Sequence, residues 1–203
     1  MGFYADHCLP HLINCACGLK AFRRQRQLLV PRARGRVLEV GFGSGLNLPF
    51  YDSNKVEFVW GLEPSEAMRK RARARVDSSP LEVRWLELPG EEIPLEDSSV
   101  DTVLLTYTLC TIPDWHRALN EMRRVLKPDG ELIFSEHGSA PDAGVRQWQD
   151  RLNPYWRRVF GGCNLNRPIP QLIEDSGFDI RSMESAYILA LKFAGFNYWG
   201  MAK

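Results

Sequence analysis

The apolar positions of this chain follow two alternating periods. Short, nearly continuous apolar runs at Arg36–Val40, Val56–Glu63, Leu81–Leu86 and Val100–Thr106 read as strands buried on both faces. Between the second and third runs, Ser65 is suited to cap a helix that continues to about Val76. Strand, helix, strand in that order implies a parallel sheet with helices packed on it. Ahead of the first strand, apolar residues at helical spacing from about Leu9 to Leu29 stop at Pro31, which predicts one or two helices there. A short helix is expected after the glycines at 41–45. Further on, Val145, Trp148, Leu152, Tyr155, Trp156 and Val159 recur at i, i+3, i+4 and i+7 across Ala143–Phe160, predicting an amphipathic helix bent near Pro154. Asp179–Ala186 and Asn197–Ala202 read as two final strands.

Composition narrows the picture. A chain of 203 residues, 44% hydrophobic and 25% charged, suits one globular domain with a sizeable core. The formal charge of +1 gives no global attraction to polyanions, so the local arginines at 23, 24, 26, 32, 34 and 36, and the basic run Arg69–Arg75, are expected on solvated helix faces. No apolar stretch approaches the ~18 residues of a membrane span, and no signal peptide is legible, which points to the cytoplasm. Five cysteines without regular spacing suit free thiols. Cys8, His11 and Cys15 could share a helix face, but without a C-x-x-C pair the expectation is no metal.

Candidate chemistry sits where the first strand ends. Glu39-Val40-Gly41-Phe42-Gly43-Ser44-Gly45 spells E-x-G-x-G-x-G, alternate glycines that let the backbone turn and lie against a ligand. Leu46 stands where a dinucleotide fingerprint needs its third glycine, which disfavours nicotinamide chemistry. Glu63 closes the second strand 22 residues after Gly41, the place in a doubly wound sheet where a carboxylate accepts from two ribose hydroxyls. Pro64 follows it, and Met68 falls on the first turn of the next helix, near an adenine or in the core. The turn-rich segment Pro89-Gly90-Glu91-Glu92-Ile93-Pro94 offers a carboxylate for an exocyclic amine and a permissive backbone for a ring nitrogen. Thr106 to Thr111 lie at the carboxyl ends of the strands, where open α/β sheets bind ligands.

These residues, with Ser99-Val100-Asp101 and Arg123-Arg124-Val125-Leu126-Lys127-Pro128-Asp129-Gly130-Glu131-Leu132, resemble the class I S-adenosylmethionine (AdoMet)-dependent methyltransferases, in the broad group of the ubiquinone and menaquinone biosynthesis enzymes. Asp129 replaces the first of a usual glycine pair, a change that a turn tolerates. Gly45-Leu46-Asn47-Leu48-Pro49-Phe50-Tyr51, Thr106 with Leu109-Cys110, Glu136-His137 and the segment from Trp148 to Arg167 are similar to a narrower group, the small alkyl-thiol S-methyltransferases. The resemblance implies a Rossmann-like, doubly wound, seven-stranded, mostly parallel sheet with an antiparallel last strand and helices on both faces. It implies a single domain over 1–203, with residues 1–35 as a helical cap and 138–178 as a substrate-lid insertion.

AdoMet is the implied cofactor, held by Glu39, Gly41, Gly43, Gly45, Glu63, Pro64, Met68, Gly90, Glu91, Glu92 and Leu109, with Asn47 and Thr106 on its methionine portion and Tyr4 folding over it. The implied reaction is direct methyl transfer to a small, apolar acceptor such as a thiol. His137, at the end of the fifth strand, is the candidate for removing or orienting the thiol proton, against the alternative of a hydrogen-bonded strand-end residue. A Pro-Pro-Tyr/Phe motif for a flipped base is absent after the fourth strand, so no nucleic-acid partner is expected. No integral membrane segment is expected either. A quinone or lipid acceptor with peripheral membrane contact stays open, as does a non-catalytic AdoMet-binding role. Oligomeric state is not legible.

Overall fold

Apolar runs without polar alternation require a sheet covered on both faces, and the residues divide accordingly. The computed structural model of the chain describes Tyr4 and residues 8–203. Its seven strands are β1 (Gly35–Val40), β2 (Val56–Leu62), β3 (Val83–Leu86), β4 (Val100–Thr106), β5 (Leu126–His137), β6 (Ile180–Tyr187) and β7 (Phe196–Ala202). They form one sheet in the order 3-2-1-4-5-7-6. β1 to β5 pair in parallel, and β7 is antiparallel to both of its neighbours, β5 and β6. Leu38, Val40, Val103, Leu105, Leu132 and Phe134 bury one face, while Val37, Val59, Leu104 and Ile133 bury the other.

Helices cover those two faces. α4 (Trp115–Val125) inserts Ala118, Leu119, Met122 and Val125 into the first cluster, its amino end capped by Asp114, whose carboxylate accepts from the Arg117 amide at 3.1 Å. α6 (Ile169–Asp175) joins it there. The second cluster takes Leu29 from α2 (Lys20–Leu29) and Ala72 from α3 (Glu66–Asp77). Ser65 caps α3 as expected, accepting from the Met68 amide at 3.4 Å. α1 (Leu9–Cys17) precedes these, α5 (Ala143–Val159) follows β5, and the short α7 (Lys192–Gly195) leads into β7.

The chain leaves β1 toward β2 and β3, then returns to β4 on the other side of β1. That reversal opens a crevice beyond the carboxyl ends of β1 and β4.

Three local expectations change. Pairing of β3 starts at Val83, not Leu81, because the Leu81 amide is taken by Ser79 Oγ at 3.1 Å. The helix expected after the glycines is one 3-10 turn, Leu48–Phe50, since Pro49 lacks a donor and Tyr51 is extended. α5 runs unbroken through Pro154, but its expected apolar stripe is not the buried face: Trp148 and Tyr155 are 57% and 67% exposed, and the buried residue is Gln149. Its amide bonds explain this. Gln149 Oε1 accepts from the Ala140 amide, and Nε2 donates to the carbonyls of Gly138 and Leu165 at 2.9 Å and of Phe193 at 3.1 Å. Among the described residues no helix is long and apolar enough to cross a membrane.

Candidate active site at the strand ends

The glycine turn and the end of β2 are built as one unit. The amides of Gly41 and Phe42 both donate to the Leu62 carbonyl, which folds the turn back over β2. Gly41 is left-handed (φ 71°), and a Cβ there would fall 2.2 Å from Thr108 Oγ1. Gly43 is also left-handed (φ 59°), yet a Cβ there would meet nothing closer than Met68 Cε at 3.5 Å. Its open side is the crevice. Gly45 instead packs against Phe42 and Leu48.

Glu63 is fastened to this turn. Its Oε2 accepts from the Gly43 amide at 2.8 Å and its Oε1 from the Ser65 amide at 2.9 Å. Burial raises its pKa, against the pull of those two amides and of Arg69. An ionised carboxylate offers about four lone-pair positions, so two remain to accept from a diol. Glu63, Pro64, Met68, Gly41, Gly43, Gly90 and Glu91 line a cavity of ≈ 320 Å³, closed on one side by Leu9, Pro10 and Ile13 of α1. This is within the size range of a pre-formed small-molecule pocket.

A smaller space of ≈ 60 Å³ adjoins it, lined by Glu39, Gly43, Asn47, Met68, Thr106 and Tyr107 from the core and by Asn14, Cys17 and Arg26 from the helical segment. A buried polar network surrounds it. Glu39 accepts from Asn47 Nδ2 at 2.9 Å and from the Tyr51 hydroxyl at 2.6 Å, and burial lifts its pKa to about 7. Asn47 Nδ2 also donates to Thr106 Oγ1, and Asn47 Oδ1 accepts from Arg26 Nε at 3.0 Å. Arg26 Nη1 reaches the Cys17 carbonyl at 2.7 Å.

At the end of β5, Glu136 is fully buried and accepts from three successive backbone amides, Thr108 at 2.6 Å, Leu109 at 3.0 Å and Cys110 at 3.4 Å. This carboxylate shapes the turn after β4, where Tyr107 takes a left-handed φ of 56°, a rare state for a bulky residue. The next residue is His137, whose Nε2 lies 3.1 Å from Cys163 Sγ. Burial disfavours its charged form, but the Cys110 sulfur and the Glu136 carboxylate outweigh that and raise its pKa. The Cys110 thiol is pushed well up, by its bond with Cys163 and by burial, so it is a poor nucleophile.

Of the residues expected from sequence, Glu39, Gly41, Gly43, Asn47, Glu63, Pro64, Met68, Gly90, Glu91 and Thr106 converge on these two spaces. Others stand apart. Glu92 faces Arg117 on the surface, Leu109 is packed with its amide on Glu136 and its carbonyl on Arg167, and the Tyr4 hydroxyl donates to the Val159 carbonyl at the end of α5. Arg26, expected on a solvated face, is 5% exposed and belongs to the site. Its position was readable: Phe22, Gln25, Arg26 and Leu29 form an i, i+3, i+4, i+7 stripe. Arg167 is half-buried. Tyr51 and Glu136 stand in runs that resemble the thiol S-methyltransferases, but nothing in the sequence marked their hydrogen-bonding roles, and Tyr107 carried no motif.

Comparison with known proteins agrees with this geometry. Residues 38–134 match a family model described as a methyltransferase domain. A thiol S-methyltransferase of Homo sapiens is 34% identical over 158 residues, 75% of this chain and 64% of that protein. A demethylmenaquinone methyltransferase of Thermus thermophilus is 27% identical, covering 82% of this chain and 78% of its own. In fold, the chain resembles a SAM-dependent methyltransferase structure from Thermotoga maritima, with a TM-score of 0.66, 21% identity and coverage of 97% and 98%. The chain spans a little under two thirds of the length of the mammalian thiol S-methyltransferases it matches.

Proposed function

The chain belongs to the class I AdoMet-dependent methyltransferases, and from that premise we propose that it transfers the methyl group of AdoMet to a small acceptor, an apolar thiol. The observation that carries the cofactor assignment is Glu63, whose carboxylate is fixed by the Gly43 and Ser65 amides beside a glycine on which a Cβ would meet no clash. The thiol assignment rests on the 34% identity to a thiol S-methyltransferase.

The residues present fit the cofactor. Glu63 would accept from the ribose hydroxyls, Pro64, Met68, Gly90 and Glu91 would flank the adenine, and Asn47, Thr106 and Arg26 would hold the methionine end. Arg26 uses two of its guanidinium donors on Asn47 and Cys17, which leaves others for a carboxylate. The sulfonium, when bound, supplies a methyl carbon that is already electrophilic. The protein's part is then positioning and exclusion of water, worth about 7–11 kcal/mol when the reacting atoms are well oriented. A thiol as acidic as a cysteine side chain, with a pKa near 8.5, leaves a few per cent thiolate at neutral pH, and a less acidic alkyl thiol depends more on help in losing its proton. His137 is assigned to draw or orient that proton.

Calorimetric titration with AdoMet and S-adenosylhomocysteine, followed by a thiol panel read as S-adenosylhomocysteine formed, tests both parts. Micromolar binding with thiol-dependent product is expected. Failure to bind either nucleoside overturns the cofactor assignment, and binding without product on any thiol overturns the acceptor. His137→Asn should slow turnover of weakly acidic alkyl thiols more than that of arenethiols; equal slowing removes His137 as the base.

One observation favours a second acceptor class. Trp148 and Tyr155 stand exposed on α5 beside Arg151, whose guanidinium lies over the Trp148 ring. Such a face suits a membrane surface and hence a lipid or quinone acceptor. Co-sedimentation with anionic vesicles at low but not high salt would support it, and no binding at low salt would remove it.

A further inference from the structure

Cys110, His137 and Cys163 are remote in sequence and meet in space. Cys110 follows β4, His137 ends β5, and Cys163 lies just beyond α5. His137 Nε2 is 3.1 Å from Cys163 Sγ, the two sulfurs are 3.6 Å apart, and all three ligand atoms lie within 4.8 Å of one another. Zinc bonds of about 2.3 Å to sulfur and about 2.0 Å to nitrogen, at tetrahedral angles, put sulfurs roughly 3.8 Å and sulfur and nitrogen roughly 3.5 Å apart around one ion. The sulfur–sulfur and His137–Cys163 separations are within a few tenths of an ångström of these values, and the His137–Cys110 separation is no more than 4.8 Å. We propose that Cys110, His137 and Cys163 form a zinc site, a Cys2His set that leaves one tetrahedral position open.

The surroundings are built to hold such a set. The Cys110 carbonyl accepts from both the backbone amide and the side-chain Nδ2 of Asn164, at 2.9 and 2.8 Å, so the two cysteine-bearing segments are locked together. The Cys110 amide is anchored on Glu136, and His137 sits in the sheet opposite Asn197. Trp156 Nε1 donates to Cys163 Sγ at 3.4 Å, an outer contact of the kind that orients a ligand sulfur. Charge also balances. Two thiolates neutralise the divalent cation, and Glu136 has Arg167 beside it, whose guanidinium is fixed on the Leu109 carbonyl. A buried cation compensated in this way escapes the cost of an unpaired charge. Cys8 and Cys15 on the amino-terminal segment are exposed and outside the group.

Bound zinc would join the ends of β4 and β5 to the segment after α5. It would also occupy the His137 Nε2 lone pair, so His137 would serve as a base only in the metal-free protein, and zinc at this site would suppress methyl transfer to thiols that depend on that base.

The test is metal binding by the reduced full chain, which stands whether or not the methyl-transfer reading does. Titration with cobalt(II) should produce sulfur-to-metal charge-transfer absorption at about one ion per chain, displaced by zinc. Cys163→Ser should weaken zinc binding by more than the roughly 10- to 100-fold that losing a supporting contact costs, while Cys8→Ser leaves it unchanged. In the unmutated chain, zinc should protect Cys163 from alkylation but not Cys8 or Cys15, a readout that does not depend on any variant folding. No charge-transfer band from the reduced protein, equal binding by Cys163→Ser, or closure of Cys110 and Cys163 to a disulfide without metal uptake would each overturn the site.

Discussion

Glu39 and Glu136 are both the penultimate residue of a central strand and both are buried, yet they are held in opposite ways. Glu39 accepts from two side chains, Asn47 and Tyr51, whereas Glu136 accepts from the backbone of three consecutive residues. A carboxylate on side chains passes its polarity to those groups and makes a network that protonation can alter. One on backbone amides dictates the path of a loop whatever side chains the loop carries. The cofactor end of the crevice is therefore electrostatically adjustable, while the turn after β4 is fixed in shape.

The largest effect should come from breaking the backbone clamp. Glu136→Ala strands three amides, two of them buried, at about 1–3 kcal/mol for each buried one left unsatisfied, so the unfolding free energy from urea titration should fall by several kcal/mol. Glu136→Gln keeps one acceptor oxygen and should lose less. If Glu136→Ala unfolds like the parent, the turn is held by something else.

Glu39 should show its character in pH dependence. Its folded pKa of about 7 lies above the ordinary 4.5, so the folded state binds the extra proton between those values. The contribution of Glu39 to unliganded stability is then fully present below about pH 4.5 and falls away as pH rises toward 7, by roughly 3 kcal/mol. Glu39→Gln should reduce the measured slope, leaving the part due to Glu63 and Glu136, whose pKa values burial also raises, as read by denaturation at several pH values; an unchanged slope assigns it wholly elsewhere.

Smaller effects sharpen the cofactor end. Glu63→Ala should weaken S-adenosylhomocysteine binding by roughly 10- to 100-fold, about 1.4–3 kcal/mol, through loss of the diol acceptor and of the anchor for Gly43. Unchanged affinity in calorimetry would contradict the ribose assignment. Gly43→Ala, with free space but a left-handed backbone, should destabilise by only about 1–2 kcal/mol. A larger loss on thermal melting would mean that its flank is not open.

The amino-terminal two thirds of the fold was legible because its signals are local. Buried strands give continuous apolar runs, and the Gly41–Gly45 turn and Glu63 sit at fixed spacing on one βαβ unit. The region around α5 was not, because its stabilising contacts are distant and polar. Gln149 binds Ala140, Leu165 and Phe193, and no periodicity marks a glutamine as the buried residue of a helix that also carries Trp148 and Tyr155. Cys110, His137 and Cys163 share this character: only the folding of three segments brings them together.

Arg26 has a practical consequence for anyone trimming this chain. The matched methyltransferase signature begins at residue 38, yet Arg26, Asn14 and Ile13 form one wall of the space around Asn47 and Gly43. A fragment cut at the start of β1 would keep every recognisable motif, and it would leave Asn47 facing solvent where a guanidinium had been. Boundaries drawn from family likeness alone would yield a protein that looks intact by its signature and binds its nucleoside in an open trough.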